Sequence, residues 1–410
     1  MPEYVVILGS LDTKGQEVEF LRGVIRAQGG QPLVVDTGVL GEASIPVDID
    51  RHRVAAAGGS SIAALIQKRD KARAVVVMAD GAGKILLGLL AKGELGGVLS
   101  IGGSRGTALS TRVMQMLPVG VPKLMVSTIA NGENPFGPYV GTRDVTIMHS
   151  VADIQGINAV TRTIFTNAAA AVTAMSRVGH PLCAGERPAL AASTLGVSTA
   201  LVGKILAQLE RLGQELIAFH AVGTGGRAME ELIAQGGLIS GVMDVTPGEI
   251  IQEIVKSPFS AGPQRMTAAS AAGLPQVCAP GGLDFIIHGP MDHLPVAYRQ
   301  RKIMPHTPTI TLVRTSPEEM AEAGRIIAER LSASKAPAAM ILPLQAFGWF
   351  GMQDQPLHDP QADAAFIQSF KQRVSSHVEV VELDTHLNDD RVADTAVELM
   401  QNMLRRRSIT

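Results

Sequence analysis

Short continuous apolar runs, each closed by glycine, serine, threonine or aspartate, alternate along this chain with segments of helical period. Tyr4 to Leu8 (YVVIL) is the first such run and predicts a strand covered on both faces. The polar stretch Gly9 to Gly15 follows, and Gln16 to Ala27 spaces Val18, Leu21 and Ile25 as a helix does. Gln31 to Asp36 (QPLVVD) is the next expected strand and ends in an acid, which completes a βαβ unit. Val39 to Ala56 has little apolar period and reads as a loop. Ala74 to Ala79 (AVVVMA) reads as a strand turning at Asp80–Gly83 into a helix with Leu86, Leu87 and Leu90. In Leu95 to Thr107 the pattern predicts a strand over Gly97–Ile101, a glycine-rich turn over Gly102–Gly106 and a helix beginning near Thr107. Lys123 to Ser127 is a further strand, Ser127 to Thr142 a loop or lid, and Val151 to Met175 a long alanine-rich helix.

The second half repeats the plan. Strands are expected at Ala189–Ala192, Glu215–His220, Leu238–Asp244, Pro275–Ala279, Ala338–Leu342 and Glu379–Leu383. Helices are expected at Ser198–Leu212, with Ser198 as cap, from Ala228, and at Glu318–Leu331, Asp363–Val374 and Arg391–Arg405. Gly179 to Pro188 (GHPLCAGERP) is the natural linker, so two domains are expected, residues 1–180 and 181–410. The fold class is α/β: two Rossmann-like, mostly parallel, doubly wound domains, with ligands at the carboxyl ends of the strands and an active crevice between the lobes.

Composition fits that picture. In 410 residues, 46% are apolar, 18% charged and only 3% aromatic, with 43 glycines. This suits parallel sheets of aliphatic residues joined by tight turns. A net charge of −2 supplies no basic field for nucleic acid. Cys183 and Cys278 cannot build a disulfide framework, and no apolar run comes near bilayer-spanning length, so a soluble cytoplasmic protein is expected.

Two glycine turns carry the candidate chemistry. Gly102, Gly103, Ser104, Arg105 and Gly106 join a strand to a helix, where unpaired amides and the helix dipole favour an anion. The same residues spell G-x-S-x-G, the turn of a serine hydrolase with Ser104 as nucleophile, for which His149, His220 or His288 would have to be the base. In the second half, Gly223-x-Gly225-x-x-Ala228 with Asp244 at the next strand end has dinucleotide spacing and leaves an NAD reading open. No P-loop is present, since Ile85 follows Gly83-Lys84 where Ser or Thr is required. Asp284, His288, Asp292, His293 and His306 match no zinc spacing. Asp12 is a candidate for nucleotide-bound magnesium, which needs only one or two carboxylates plus phosphates, and Asp36 for a ribose.

The segments LGSLDTKGQEVEFLR, GGSRGTAL, VPKLMVSTIA, FHAVGTGGRAMEELI, AGPQRMTAA, PGGLDF and HLNDD resemble a family of plant and bacterial proteins. That family includes the ATP-binding N-terminal domain of the tomato tobamovirus-resistance protein and a long-uncharacterised set of bacterial members. The resemblance spans nearly the whole chain. It implies a two-lobed α/β fold, ATP and magnesium binding, and a homodimer. By matching motif it implies nucleotide contacts at Ser10, Asp12, Thr13, Lys14, Gly102, Gly103, Ser104, Gly106 and Thr107. For a second ligand it implies His220, Gly223, Thr224, Gly225, Gly226, Arg227 and Asp284. Arg105 stands where members usually have glycine, Ser193–Gly196 replaces a stretch richer in Thr and Pro, and Phe347–Pro356 departs from the family pattern.

The function expected from these observations is an ATP·Mg-binding protein. Its nucleotide lies in the first lobe, and a second, anionic small molecule lies at the crevice between lobes. Phosphoryl transfer or ATP-driven activation of a small acid suits two facing anion sites. The rivals are a serine hydrolase, an NAD-binding protein and a non-catalytic ATP-binding regulator or interaction module.

Overall fold

A computed structural model describes residues 3–130, 137–178 and 189–407. The chain divides into two compact units, Met1–Leu182 and Cys183–Thr410. The expected linker Gly179–Pro188, with Cys183, and Asn131, Gly132, Asn134 and Pro135 of the expected lid lie outside the described residues.

The first unit contains β1 (Tyr4–Gly9), α1 (Leu11–Ala27), β2 (Gln31–Asp36), α2 (Arg51–Ala57), α3 (Ile62–Lys68) and α4 (Lys71–Ala91). It continues with β3 (Leu95–Gly102), α5 (Ser104–Met116), β4 (Lys123–Ser127), α6 (Gly137–Val140), β5 (Thr146–His149) and α7 (Ala159–Val178). Its five strands lie in the order β2-β1-β3-β4-β5 and all pair in parallel. One face packs against α1 and α7 through Leu11, Val18, Leu21, Phe165 and Val172. The other packs against α2 to α5 through Val54, Leu65, Met78, Leu86, Leu109 and Val113. The unit is therefore doubly wound, as expected.

Several local expectations change. AVVVMA is not a strand. Lys71–Ala91 is one helix, capped by Asp70, whose side chain accepts from the Arg73 amide at 3.0 Å. β-branched residues favour strands only weakly, and here close helix packing overrides them. A Cβ on Gly81 would lie 1.9 Å from the Val54 carbonyl oxygen, and one on Gly58 would lie 2.1 Å from that of Val77. α2 and α4 thus meet backbone to backbone, at sites where any side chain would hold them apart.

By length and composition α4 is apolar enough to cross a bilayer, against expectation, yet Val77, Met78, Ala79, Ala82 and Leu86 lie in the unit's core. The stretch Val39–Ala56 is not all loop, because it contains most of α2. Helix α1 begins at Leu11 rather than Gln16, since Asp36 accepts from the Leu11 amide, and α5 begins at Ser104 rather than Thr107.

In the second unit, β6 (Ala189–Thr194), α8 (Thr199–Arg211), β7 (Leu216–His220), α9 (Thr224–Gln235), β8 (Ile239–Asp244), α10 (Glu249–Ile254) and α11 (Ala268–Ala271) come first. Next are β9 (Gln276–Cys278), β10 (Phe285–His288), β11 (Ile303–Thr307), β12 (Ile310–Arg314) and α12 (Pro317–Ser332). The unit closes with β13 (Ala338–Pro343), α13 (Pro360–Arg373), β14 (Val378–Leu383) and α14 (Asp390–Arg407). A six-stranded parallel sheet runs β14-β13-β9-β8-β6-β7, and β10-β12-β11 form a small antiparallel sheet that the apolar pattern did not announce. Ser198 stands at the start of α8, but its hydroxyl does not cap the helix. It bonds the Thr246 hydroxyl at 2.6 Å instead.

The packing at Gly81 yields a direct test. Gly81→Ala forces a Cβ against the Val54 carbonyl, and overpacking of this kind typically costs about 1–3 kcal/mol. The expected outcome is a melting temperature several degrees lower in a thermal unfolding scan, whereas the same change at Gly88, which has open space, leaves it unchanged or raised.

Candidate anion-binding cavity

In a parallel sheet of this order the chain leaves β1 toward one face and β3 toward the other. The diverging connections open a crevice at their carboxyl ends, and this is where such folds take ligands. A cavity of about 750 Å³ lies there. Gly9, Ser10, Asp12, Thr13 and Lys14 line it from the start of α1, Thr37 to Leu40 from the loop after β2, and Gly102 to Gly106 from the β3–α5 turn. Its remaining wall is apolar and comes from Leu65 and Ile66 of α3, Val75 and Met78 of α4, and Leu109 of α5. Leu40 is 72% exposed and Ile66 42%, so apolar surface stands open on this side.

The polar end is built for negative charge. Gly103 precedes α5 without a side-chain cap. Among the described residues, the amides of Ser104, Arg105 and Gly106 have no hydrogen-bond acceptor, and the helix's first bond to the turn is from the Thr107 amide to the Gly103 carbonyl. Three free amides at the positive end of a 13-residue helix favour an anion. Lys14 sits at a kink in α1 (φ −124°, ψ 19°), and its ammonium donates to the Ile154 carbonyl. Asp12 is the exception to the positive field. Its Oδ2 accepts from the Gly41 amide at 3.1 Å, while its buried Oδ1 has no partner. Gly38 and Gly41 wall in that carboxylate so closely that a Cβ on either would come within 3.3 Å of it.

Two expected contacts fall elsewhere. Asp36 does not line the cavity. Its Oδ1 accepts from the amides of Leu11 and Gly38, tying β2 to α1, and burial holds its carboxyl above the usual range against the pull of those two amides. Thr107 is buried, and its hydroxyl meets that of Ser127 at 2.7 Å, joining α5 to β4. Ser104 occupies the first turn of a regular helix without the strained backbone of a nucleophilic turn, and no histidine among the described residues hydrogen-bonds to it.

The second glycine turn is already filled. Glu249 of α10 is fully buried, and its Oε1 accepts from the amides of Gly223 at 2.5 Å and Gly226 at 3.1 Å. A Cβ on Gly226 would lie 1.9 Å from Glu249 Oε2. Arg265 donates from Nε to that same oxygen at 2.7 Å and grips Asp244 with both terminal nitrogens, at 2.5 and 2.8 Å. Burial works against the Arg265 charge, but Asp244, Glu249 and Glu230 outweigh it and hold the guanidinium above its usual range. Asp244 is thus committed to Arg265 and to the Ser193 hydroxyl, not free for a ribose.

His220, Thr224 and Arg227 are exposed around this turn, whereas Asp284 is fully buried. The histidine-rich stretch forms no group of three metal-binding side chains among the described residues.

Residues 3–181 match the Uncharacterised protein family (UPF0261) N-terminal domain, and residues 187–404 match its C-terminal domain. The chain belongs to the UPF0261 family. A UPF0261 protein of Clostridium tetani is 40% identical over 98% of this chain and 100% of its own length. UPF0261 protein RA0729 of Rhizobium meliloti is 35% identical over 96% of this chain and 97% of its own. The ToMV resistance protein Tm-1(GCR237) of Solanum lycopersicum is 32% identical over 74% of this chain, a match that spans 41% of the tomato protein. The crystal structure of Acinetobacter baumannii MurG aligns over 99% of this chain and 98% of that one at 14% identity, but with a TM-score of 0.23. So loose a superposition bears on neither fold nor function.

In this UPF0261 chain the residues that hold the second turn together were not legible as partners. Glu249 and Arg265 lie outside the glycine motif, and only the fold brings them to it. Asp284 is the converse case, a fully buried carboxylate whose two oxygens have no hydrogen-bond partner. Burial pushes its carboxyl above the usual range, and the nearby Arg314 charge offsets only part of that.

Opposite outcomes follow for the two acids. Glu249→Gln breaks a buried pair and is expected to cost about 3–5 kcal/mol in urea unfolding. Asp284→Asn removes a buried carboxylate that no hydrogen bond satisfies and is expected to stabilise by about 1–3 kcal/mol at pH 7. Because the folded-state pKa of Asp284 is raised, the ionised form is the disfavoured one. Its penalty is absent below the ordinary carboxylate value and develops as pH rises through the folded value. The Asp284→Asn gain therefore shrinks as the unfolding series is taken to acid pH.

Proposed function

We propose that this chain binds a nucleotide, ATP with Mg²⁺, in the cavity of its first unit. The observation that carries the proposal is the set of acceptor-free amides at Ser104, Arg105 and Gly106, which face the same cavity as Lys14 and an open apolar wall. Phosphates suit the first end and a purine the second. The unpartnered Oδ1 of Asp12 fits a nucleotide-bound Mg²⁺, which needs only one or two protein carboxylates besides the phosphates. When bound, the ion supplies screening of the phosphate charge.

Among the described residues no histidine, cysteine or glutamate lines the cavity, and of the two aspartates in that lining Asp70 is committed to capping α4. A regulator or interaction module that senses ATP fits these residues without further assumption.

Thermal shift with ATP·Mg²⁺, ATP with a chelator, NAD and buffer tests the reading. ATP·Mg²⁺ is expected to raise the melting temperature most, and the absence of any shift with ATP would refute the proposal. Lys14→Ala is expected to weaken ATP binding by roughly tenfold or more, in line with loss of one charge-assisted hydrogen bond. Asp12→Asn is expected to remove the difference between ATP with and without Mg²⁺ while leaving Mg²⁺-free binding in place.

A further inference from the structure

The cavity has a wall that the apolar pattern assigned to a strand. Helix α4 runs beside α5 in the same direction: Asp80 accepts from Arg112 Nε at 3.0 Å, and a Cβ on Gly83 would lie 2.3 Å from Met116 Sδ. Carrying that register back toward the amino ends sets Lys71 level with Ser104. Arg69 and Lys71 accordingly line the same cavity as the glycine turn. Arg69 is held there at φ 50°, in the tight joint between α3 and α4.

Charge decides what this arrangement takes. Lys14, Arg69, Lys71 and Arg105 line the cavity, and none of them has an ion-pair partner among the described residues. Asp70 is committed to the α4 cap, so among the described lining residues Asp12 is the one carboxylate with an unpartnered oxygen. A phosphate monoester carries about −1.5 to −2 at neutral pH, too little to compensate four cations and the uncapped amino end of α5. A linear polyphosphate carries more charge and extends along a lining that the α5 turn shares with Arg69 and Lys71.

We propose that Arg69 and Lys71 read the length of the phosphate chain, so that the cavity selects polyphosphate ligands, nucleoside triphosphates over monophosphates. The nucleoside part rests on the function proposed above; the selection for phosphate chain length does not.

Isothermal titration of the full chain with ATP, AMP and inorganic tripolyphosphate, each with Mg²⁺, tests this in the wild type, the Arg69→Ala/Lys71→Ala double variant and the Arg69→Lys/Lys71→Arg swap. Both positions are exposed, so an unchanged melting temperature without ligand is expected and checks that the variants fold. The wild type is expected to prefer ATP to AMP by about 100-fold. The double variant should lose most of that preference, about tenfold per cation, by weakening ATP and tripolyphosphate while leaving AMP nearly unchanged. The charge-preserving swap should restore much of it. Equal loss for ATP and AMP, or undiminished ATP affinity in the double variant, overturns the proposal while leaving ATP binding intact. Tripolyphosphate binding that depends on both cations, with ATP no tighter, upholds the selection for chain length and refutes the nucleoside reading. No binding of any of the three by the wild type refutes both.

Discussion

The first unit depends on one topological constraint, the adjacency of β1 and β3 in a parallel sheet whose order reverses between them. The chain leaves β1 into α1 on one face and β3 into α5 on the other, which opens a gap between the two turns. The free amides of α5, the kinked Lys14 and the half-satisfied Asp12 all sit at that gap. Asp36, although outside the cavity, holds its geometry by joining the β2 loop to the first amide of α1.

The second unit starts from the same motif and ends differently. Its glycine turn also exposes amides at a helix start, but the buried carboxylate of Glu249 fills that turn, and Arg265 holds Glu249 and Asp244 together. Leaving such a pair half-made inside a protein is costly, which explains why three acids converge on one fully buried arginine. Serine hydroxyls do the same beyond the ends of β6 and β8, where Ser198 meets the Thr246 hydroxyl and Ser193 donates to the Asp244 carboxylate. One turn keeps its donors open and the other satisfies them internally. The difference lies in residues distant in sequence.

Residue type at strand ends was legible, and so was the parallel α/β class, because continuous apolar runs closed by small polar residues have few other uses. Ser10, Asp12, Thr13, Lys14 and Gly102–Gly106, picked out from two separate motifs, line one cavity. Asp36 and Thr107 show the limit of that reasoning: both end or begin the right elements, yet their polar atoms face the sheet rather than the cavity. Helix α4 shows another. Asp70 as a cap before an unbroken 21-residue span was a signal for a helix, but the run AVVVMA taken alone favours a strand. With α4 misassigned, Arg69 and Lys71 could not be associated with the glycine turn.

By itself the sequence determined the fold class, the strands of both parallel sheets except β5, and the presence of two donor-rich glycine turns. These follow from period, turn chemistry and backbone donors, which act over a few residues. Tertiary structure alone decided which turn is open, through Glu249 and Arg265. It also decided that AVVVMA is helical, through the contact of Gly81 with Val54, and that Arg69 and Lys71 line the same cavity as the Gly102–Gly106 turn. Each of these depends on packing between segments far apart in the chain, where satisfaction of buried charge and close backbone approach outweigh local propensity.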